Sequence, residues 1–351
     1  MKKNFYPVIL LLLACACSQN SESDRVARQP MVDSLEQTNN FYDNEPTQRL
    51  QVVPLQIDGE VLSPADVDFA RLPVRSVIVK EALLNVDGTD KFIGAYRYDG
   101  YSLFDILNSV KVQKKNAAVF PPIIDLYVEV SNDAGERVVF SWGELFYPNN
   151  LHKIIVAKSV MRIVPSKTKE LWPLPETSKL VVATDLVTER NIVNPSRITI
   201  RSLSSPFKVN REISPLYCDR VKVTDFSGKE SLLGIPKNLS TVTFSTIFYG
   251  RGRGIHSTTP FTGYCLKDIL CSAFPLSKED IQRGIFTVAA LDGYRMALTY
   301  SELFNRNDQQ EFLLIDDPQN MEGGRYRLFP ACDFFSDRAI KALSEIRYEV
   351  R

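Results

Sequence analysis

Histidine is scarce in this chain of 351 residues: only His152 and His256 occur, far apart in sequence. That excludes an HExxH helix and zinc sites built on histidine pairs. Net charge is missing as well, because 42 Lys and Arg balance 42 Asp and Glu. Without a broad positive field, nucleic acid is not an expected partner. There is no GxxxxGK[ST] loop to cradle a phosphate and no GxSxG turn to present a nucleophilic serine. What remains is an ordinary core-forming composition, with 20 Phe and 14 Tyr, so a folded chain of two domains is the expectation.

The N-terminus carries the first positive signal. Met1-Lys2-Lys3 precedes an apolar run from Phe5 to Ala14 that is broken only by Pro7, and then come Cys15 and Cys17. The run is too short to cross a bilayer as a mature helix and reads as a secretory signal. Leu12-Leu13-Ala14-Cys15 is similar to a bacterial lipobox, which makes Cys15, with Cys17 as the alternative, the residue that is acylated and becomes the mature N-terminus. Residues 18–48 are polar and lack apolar spacing, as expected of a flexible tether. The chain is therefore expected in the bacterial cell envelope, lipid-anchored, facing the periplasm or the cell surface.

Past the tether the sequence repeats itself. Tyr98-Asp-Gly-Tyr-Ser-Leu-Phe-Asp-Ile-Leu107 matches Phe261-Thr-Gly-Tyr-Cys-Leu-Lys-Asp-Ile-Leu270, and Phe140-Ser-Trp-Gly-Glu-Leu-Phe146 matches Leu298-Thr-Tyr-Ser-Glu-Leu-Phe304. Asp185, Arg190 and Ile198 then correspond to Asp333, Arg338 and Ile346. Three blocks in the same order indicate two homologous modules, 49–204 and 205–351, joined near Ser202 to Pro215. Each module should contain a short helix striped by Leu103, Ile106 and Leu107 or by Leu266, Ile269 and Leu270. Hairpins are expected around Asp133-Ala-Gly-Glu136 and Asp292-Gly293, each leading into a capping box, Ser141-x-x-Glu144 or Thr299-x-x-Glu302. The expected fold class is α+β: two tandem, strand-rich modules with short helices.

The order of these motifs resembles the molybdopterin-binding domain of the sulfite oxidase family. The matching residues of the second module are Gly263, Leu266, Asp268, Ile269 and Leu270; Asp292, Gly293 and Tyr294; Glu302 and Leu303; Gly323, Gly324, Arg327, Leu328 and Pro330; and Arg338, Lys341, Leu343 and Ile346. The lead-in of the first, Leu55-Gln-Ile-Asp-Gly-Glu-Val61 with Leu72-Pro73, is similar too. The resemblance implies a pterin fold in each module and places the segment Arg338-Ala-Ile-Lys341 by the pterin phosphate. Its catalytic members hold molybdenum partly through a Cys thiolate, and neither corresponding stretch, 81–91 or 245–256, contains a cysteine. A soft metal without its thiolate would be poorly retained, so no cofactor is the expectation and molybdopterin the alternative.

The modules differ most at Tyr249-Gly-Arg-Gly-Arg-Gly-Ile-His-Ser-Thr-Thr259. Its glycines permit close backbone approach, and Arg251, Arg253, His256 and Thr258 can hold an anion. With Arg338 and Lys341 these are the candidate binding residues. Cys218, Cys265, Cys271 and Cys332 are expected as free thiols, and Cys265 and Cys271 sit too far apart along a helix to bridge. No catalytic residue emerges. The functions left open are a non-catalytic ligand-binding or interaction lipoprotein, which is favoured, a molybdopterin-dependent oxidoreductase with an unusual metal ligand, and a structural subunit of an envelope assembly.

Overall fold

The structure, a computed structural model, describes residues 40–43, 45–204 and 207–351. The expected signal, the acylated Cys15 or Cys17 and most of the tether lie outside the described residues. Gln48–Arg49, across the expected boundary between tether and first module, forms a strand paired antiparallel with Ile154–Arg162.

Strands make up 40% of the chain and helices 12%, and the small sheets are arranged like the blades of a four-bladed β-propeller. This corrects the expected pair of α+β modules, and the reason lies in the helices. The apolar stripes and the serine and threonine caps are real, though only Thr299 and Glu302 complete a capping box because the Glu144 carboxylate is taken by Arg190. Each helix is little more than a single turn: α1 Leu103–Asn108, α2 Trp142–Phe146, α3 Leu266–Leu270, α4 Lys278–Arg283 and α5 Tyr300–Phe304. One turn cannot form a layer of its own. These helices serve as corners between strands, and the residues around them continue the sheets.

Strand order follows the sequence repeat. One five-stranded sheet runs Ala65–Asp66, Gln56–Gly59, Pro195–Ser202, Leu126–Asn132, Arg137–Ser141. A second runs Glu230–Leu232, Lys222–Thr224, Leu343–Val350, Gly284–Ala290, Arg295–Thr299. In both, the last strand of the repeat pairs parallel with the second strand of that order and, on its other side, antiparallel with the fourth, Leu126–Asn132 or Gly284–Ala290. The outer sheets correspond as well. Arg75–Leu84, Asp90–Ser102, Ile154–Arg162 and Leu180–Val182 match Val242–Phe244, Phe261–Cys265, Phe312–Asp316 and Tyr326–Pro330.

Residues 40–351 nevertheless form one compact unit. A large buried apolar cluster runs through both repeats, from Leu103, Phe140 and Val156 to Phe286, Tyr300 and Tyr348. The backbone is exchanged across the middle: Leu186 N–H donates to the Asn305 carbonyl, and Phe334 N–H to the Tyr147 carbonyl. Each repeat thus docks its Asp-x-x-x-x-Arg segment on the helix corner of the other.

Candidate functional site

Two polar constellations and a cavity bear on the chemistry of the fold. The first constellation is buried at the centre. Arg190 donates to Asp185 at 2.6 and 2.8 Å and to Glu144 at 2.6 and 3.1 Å. Its counterpart Arg338 donates to Asp333 at 2.6 and 2.7 Å and to Glu302 at 2.5 Å. The caps then cross between repeats, with Ser141 Oγ donating to Glu302 at 2.6 Å and Thr299 Oγ1 to Glu144 at 3.1 Å. Burial, with the Glu302 charge adding to it and Arg190 opposing it, pushes the Glu144 carboxyl up. Glu302 is held below its ordinary value: Arg338, Ser141 and the Thr299 N–H together outweigh its burial. The Arg338 side chain has no exposure, and its donors are spent on this network. Arg338 is therefore a structural ion, unavailable to a phosphate.

The second constellation is one that sequence reasoning missed. His152 Nδ1 lies 3.1 Å from Ser102 Oγ and 3.4 Å from Asp105 Oδ2, and Arg75 Nε donates to the same carboxylate at 2.8 Å. A nucleophilic relay needs the serine on one ring nitrogen and the acid on the other. Here both converge on Nδ1, and Ser102 is fully buried with its Oγ accepting the Asp105 N–H as the cap of α1. The group ties a helix end to a loop.

The cavity belongs to the second repeat. It has a volume of about 340 Å³, within the range of small-ligand sites. Its apolar wall includes Leu216, Phe248, Phe261, Phe329 and Ile340, and its polar lining includes His256, Asp292, Arg327 and Lys341. One wall comes from the hairpin Phe248–Gly250/Gly254–Ser257, which pairs only with itself. Phe248 packs edge-on against Phe261, with ring centroids 5.2 Å apart, and Phe261 stacks on Phe329 at 4.2 Å. Asp292 is placed by a turn in which Gly293 adopts φ +82° and its carboxylate accepts the Tyr294 N–H.

Of the expected binding residues, the fold brings His256 and Lys341 together at this cavity. Arg251 pairs with Asp337 at 3.0 Å on the surface, and Arg253 and Thr258 are exposed outside the lining. Arg327 was named only as part of a motif, and Phe248, Phe261 and Phe329 were not singled out. The strand alternation of Tyr326–Pro330 held the signal for them, but without a partner strand it does not say which face a cavity occupies.

No thiolate lines the cavity, and among the described residues no group of three His, Cys, Asp or Glu could hold a metal ion. The donor set does not fit molybdenum. All four cysteines of the described residues are free; Cys265 and Cys332 are buried, and burial raises the Cys332 thiol far above its usual range. No family model matches the chain, and no curated protein matches it. No helix among the described residues is long and apolar enough to cross a membrane.

Proposed function

We propose that this chain is an envelope lipoprotein that binds a small ligand without transforming it. The observation that carries the reading is the cavity beside Phe248, Arg327 and Lys341, which combines an apolar wall with a few convergent charges. The constellations nearest to catalytic form support it, since both are consumed in holding the fold. The lipobox-like Leu12 to Cys15 supplies the anchor. The test is native mass spectrometry of the full-length protein purified from its membranes. A retained small molecule, lost on replacing Phe248 with Asp in a variant that keeps its circular dichroism, is the expected result. Uniformly empty protein that binds nothing from a lysate metabolite fraction would overturn the reading.

A second reading, a subunit of an envelope assembly, draws on a different feature. Ile247, Tyr249, Ile255 and Phe334 are all exposed around the same hairpin, at 40 to 66% of their surface. Apolar groups gathered in this way commonly mark contact surfaces. Stable co-purification with one neighbour, abolished by Ile255→Asp, is the result expected of it.

A further inference from the structure

The charges at the cavity are not balanced, and one of them is incomplete. Arg327 and Lys341 stand against one lining carboxylate, Asp292, one of whose oxygens is occupied by the Tyr294 N–H. Tyr294 offers no donor, because its hydroxyl is given to the Asp337 carbonyl at 2.8 Å. Arg327 differs from the arginines at the centre of the molecule. Its Nε is buried without a hydrogen-bond partner, and its one ion pair, to Asp317, is loose at 3.5 Å. Leaving such a donor unmet costs about 1–3 kcal/mol. The terminal nitrogens of Arg327, at the cavity lining, carry only that loose pair, and a guanidinium is the group suited to grip a carboxylate with two N–H bonds.

The rest of the wall argues against an inorganic anion. Leu216, Phe248 and Ile340 offer apolar surface that sulfate or phosphate would leave wet or bury at a loss. A volume of about 340 Å³ leaves room for a ring or a short alkyl chain behind the acid. We propose that the cavity takes a small monocarboxylate with an apolar body, its acid held by Arg327 and Lys341 and its body lying along Phe248, Leu216 and Ile340. The inference rests on the ligand-binding reading above and names the ligand class of the same site.

Titration calorimetry on the full-length protein with hydrocinnamate, octanoate and indoleacetate, each beside its neutral amide, tests it. At least one acid is expected to bind about tenfold or more tightly than its amide. Arg327→Gln, in a variant that keeps its circular dichroism, should bring acid and amide affinities within about twofold of each other, and Lys341→Ala should weaken the acid by a smaller factor. Acid and amide binding equally well, or Arg327→Gln leaving the preference intact, overturns the carboxylate assignment while the ligand-binding reading stands. If none of the probes binds, native mass spectrometry decides: a retained carboxylate upholds the assignment and a retained molecule without an acid overturns it alone. Protein empty in both experiments overturns both readings.

Discussion

The two repeats share strand order but part company at one place. In the first, Arg75–Leu84 and Asp90–Ser102 run as a long hairpin that stays paired almost to its tip at Asn85–Thr89. In the second, the corresponding strands shrink to Val242–Phe244 and Phe261–Cys265, and the chain between them leaves the sheet as the hairpin from Phe248 to Ser257. A strand that continues fills the sheet and leaves no room. A strand that is cut short opens a space, which the detached hairpin then walls with Phe248 and His256. The strand order recurs in both repeats, and this cavity lies where they differ.

At the centre the copies do agree, and the sharpest way to break that agreement is to remove one of its two cations. Arg190→Ala leaves Asp185 and Glu144 buried without a counter-ion, and Arg338→Ala does the same to Asp333 and Glu302. Each is expected to cost about 3–5 kcal/mol in urea denaturation. The losses should be similar and should fall on both repeats together in one transition, since the caps cross between them. Loss of structure in one repeat alone would mean that the centre does not couple them.

Next in size is a pair of glycines at equivalent hairpin tips. Gly135 and Gly293 have φ of +89° and +82°, a region where a side chain is strained. A Cβ on Gly135 would meet nothing within 4 Å, whereas on Gly293 it would lie 2.3 Å from the Lys208 carbonyl oxygen. Gly135→Ala should cost about 1 kcal/mol from backbone strain alone. Gly293→Ala adds a backbone clash and should cost about 3 kcal/mol, and calorimetric unfolding of the two variants checks the difference. Equal costs would show that the segment around Lys208 yields freely and does not brace the turn that presents Asp292.

These features also mark how far the sequence could be read. The hairpins around Asp133 and Asp292 and the caps Ser141 and Thr299 were legible because turn and capping chemistry is local. The fold class was not, because α1 and α3 show a helical stripe too short to distinguish a layer from a corner. Arg338 illustrates the same limit at the site. Its spacing from Asp333 recurs in Arg190 and Asp185, but only tertiary placement reveals that both arginines turn inward. His256 was singled out because the glycine-rich loop was conspicuous, and Lys341 only through the family resemblance. Arg327 needed the cavity to be seen.

The finest distinction between the copies lies in the two buried glutamates. Arg190 grips Glu144 with two donors, and Thr299 Oγ1 adds a third. Glu302 instead accepts from Arg338, Ser141 and the Thr299 N–H, completing a capping box that Glu144 does not complete. Glu144 is raised and Glu302 lowered, so their contributions to stability run in opposite senses with pH. A carboxyl with a raised folded pKa contributes fully below its unfolded value of 4.5, and that contribution is lost as pH climbs through the folded value of about 7. A carboxyl with a lowered folded pKa contributes above its unfolded value and loses that contribution as pH falls. Glu144→Gln imitates the protonated form, so it should cost under about 1 kcal/mol at pH 5 and become progressively more favourable relative to the parent protein towards pH 7. Glu302→Gln should cost about 2 kcal/mol at pH 7, and less as acid protonates the parent carboxyl. Urea midpoints across that range would separate the two glutamates, and parallel profiles for both variants would mean that the central network carries its charge symmetrically after all.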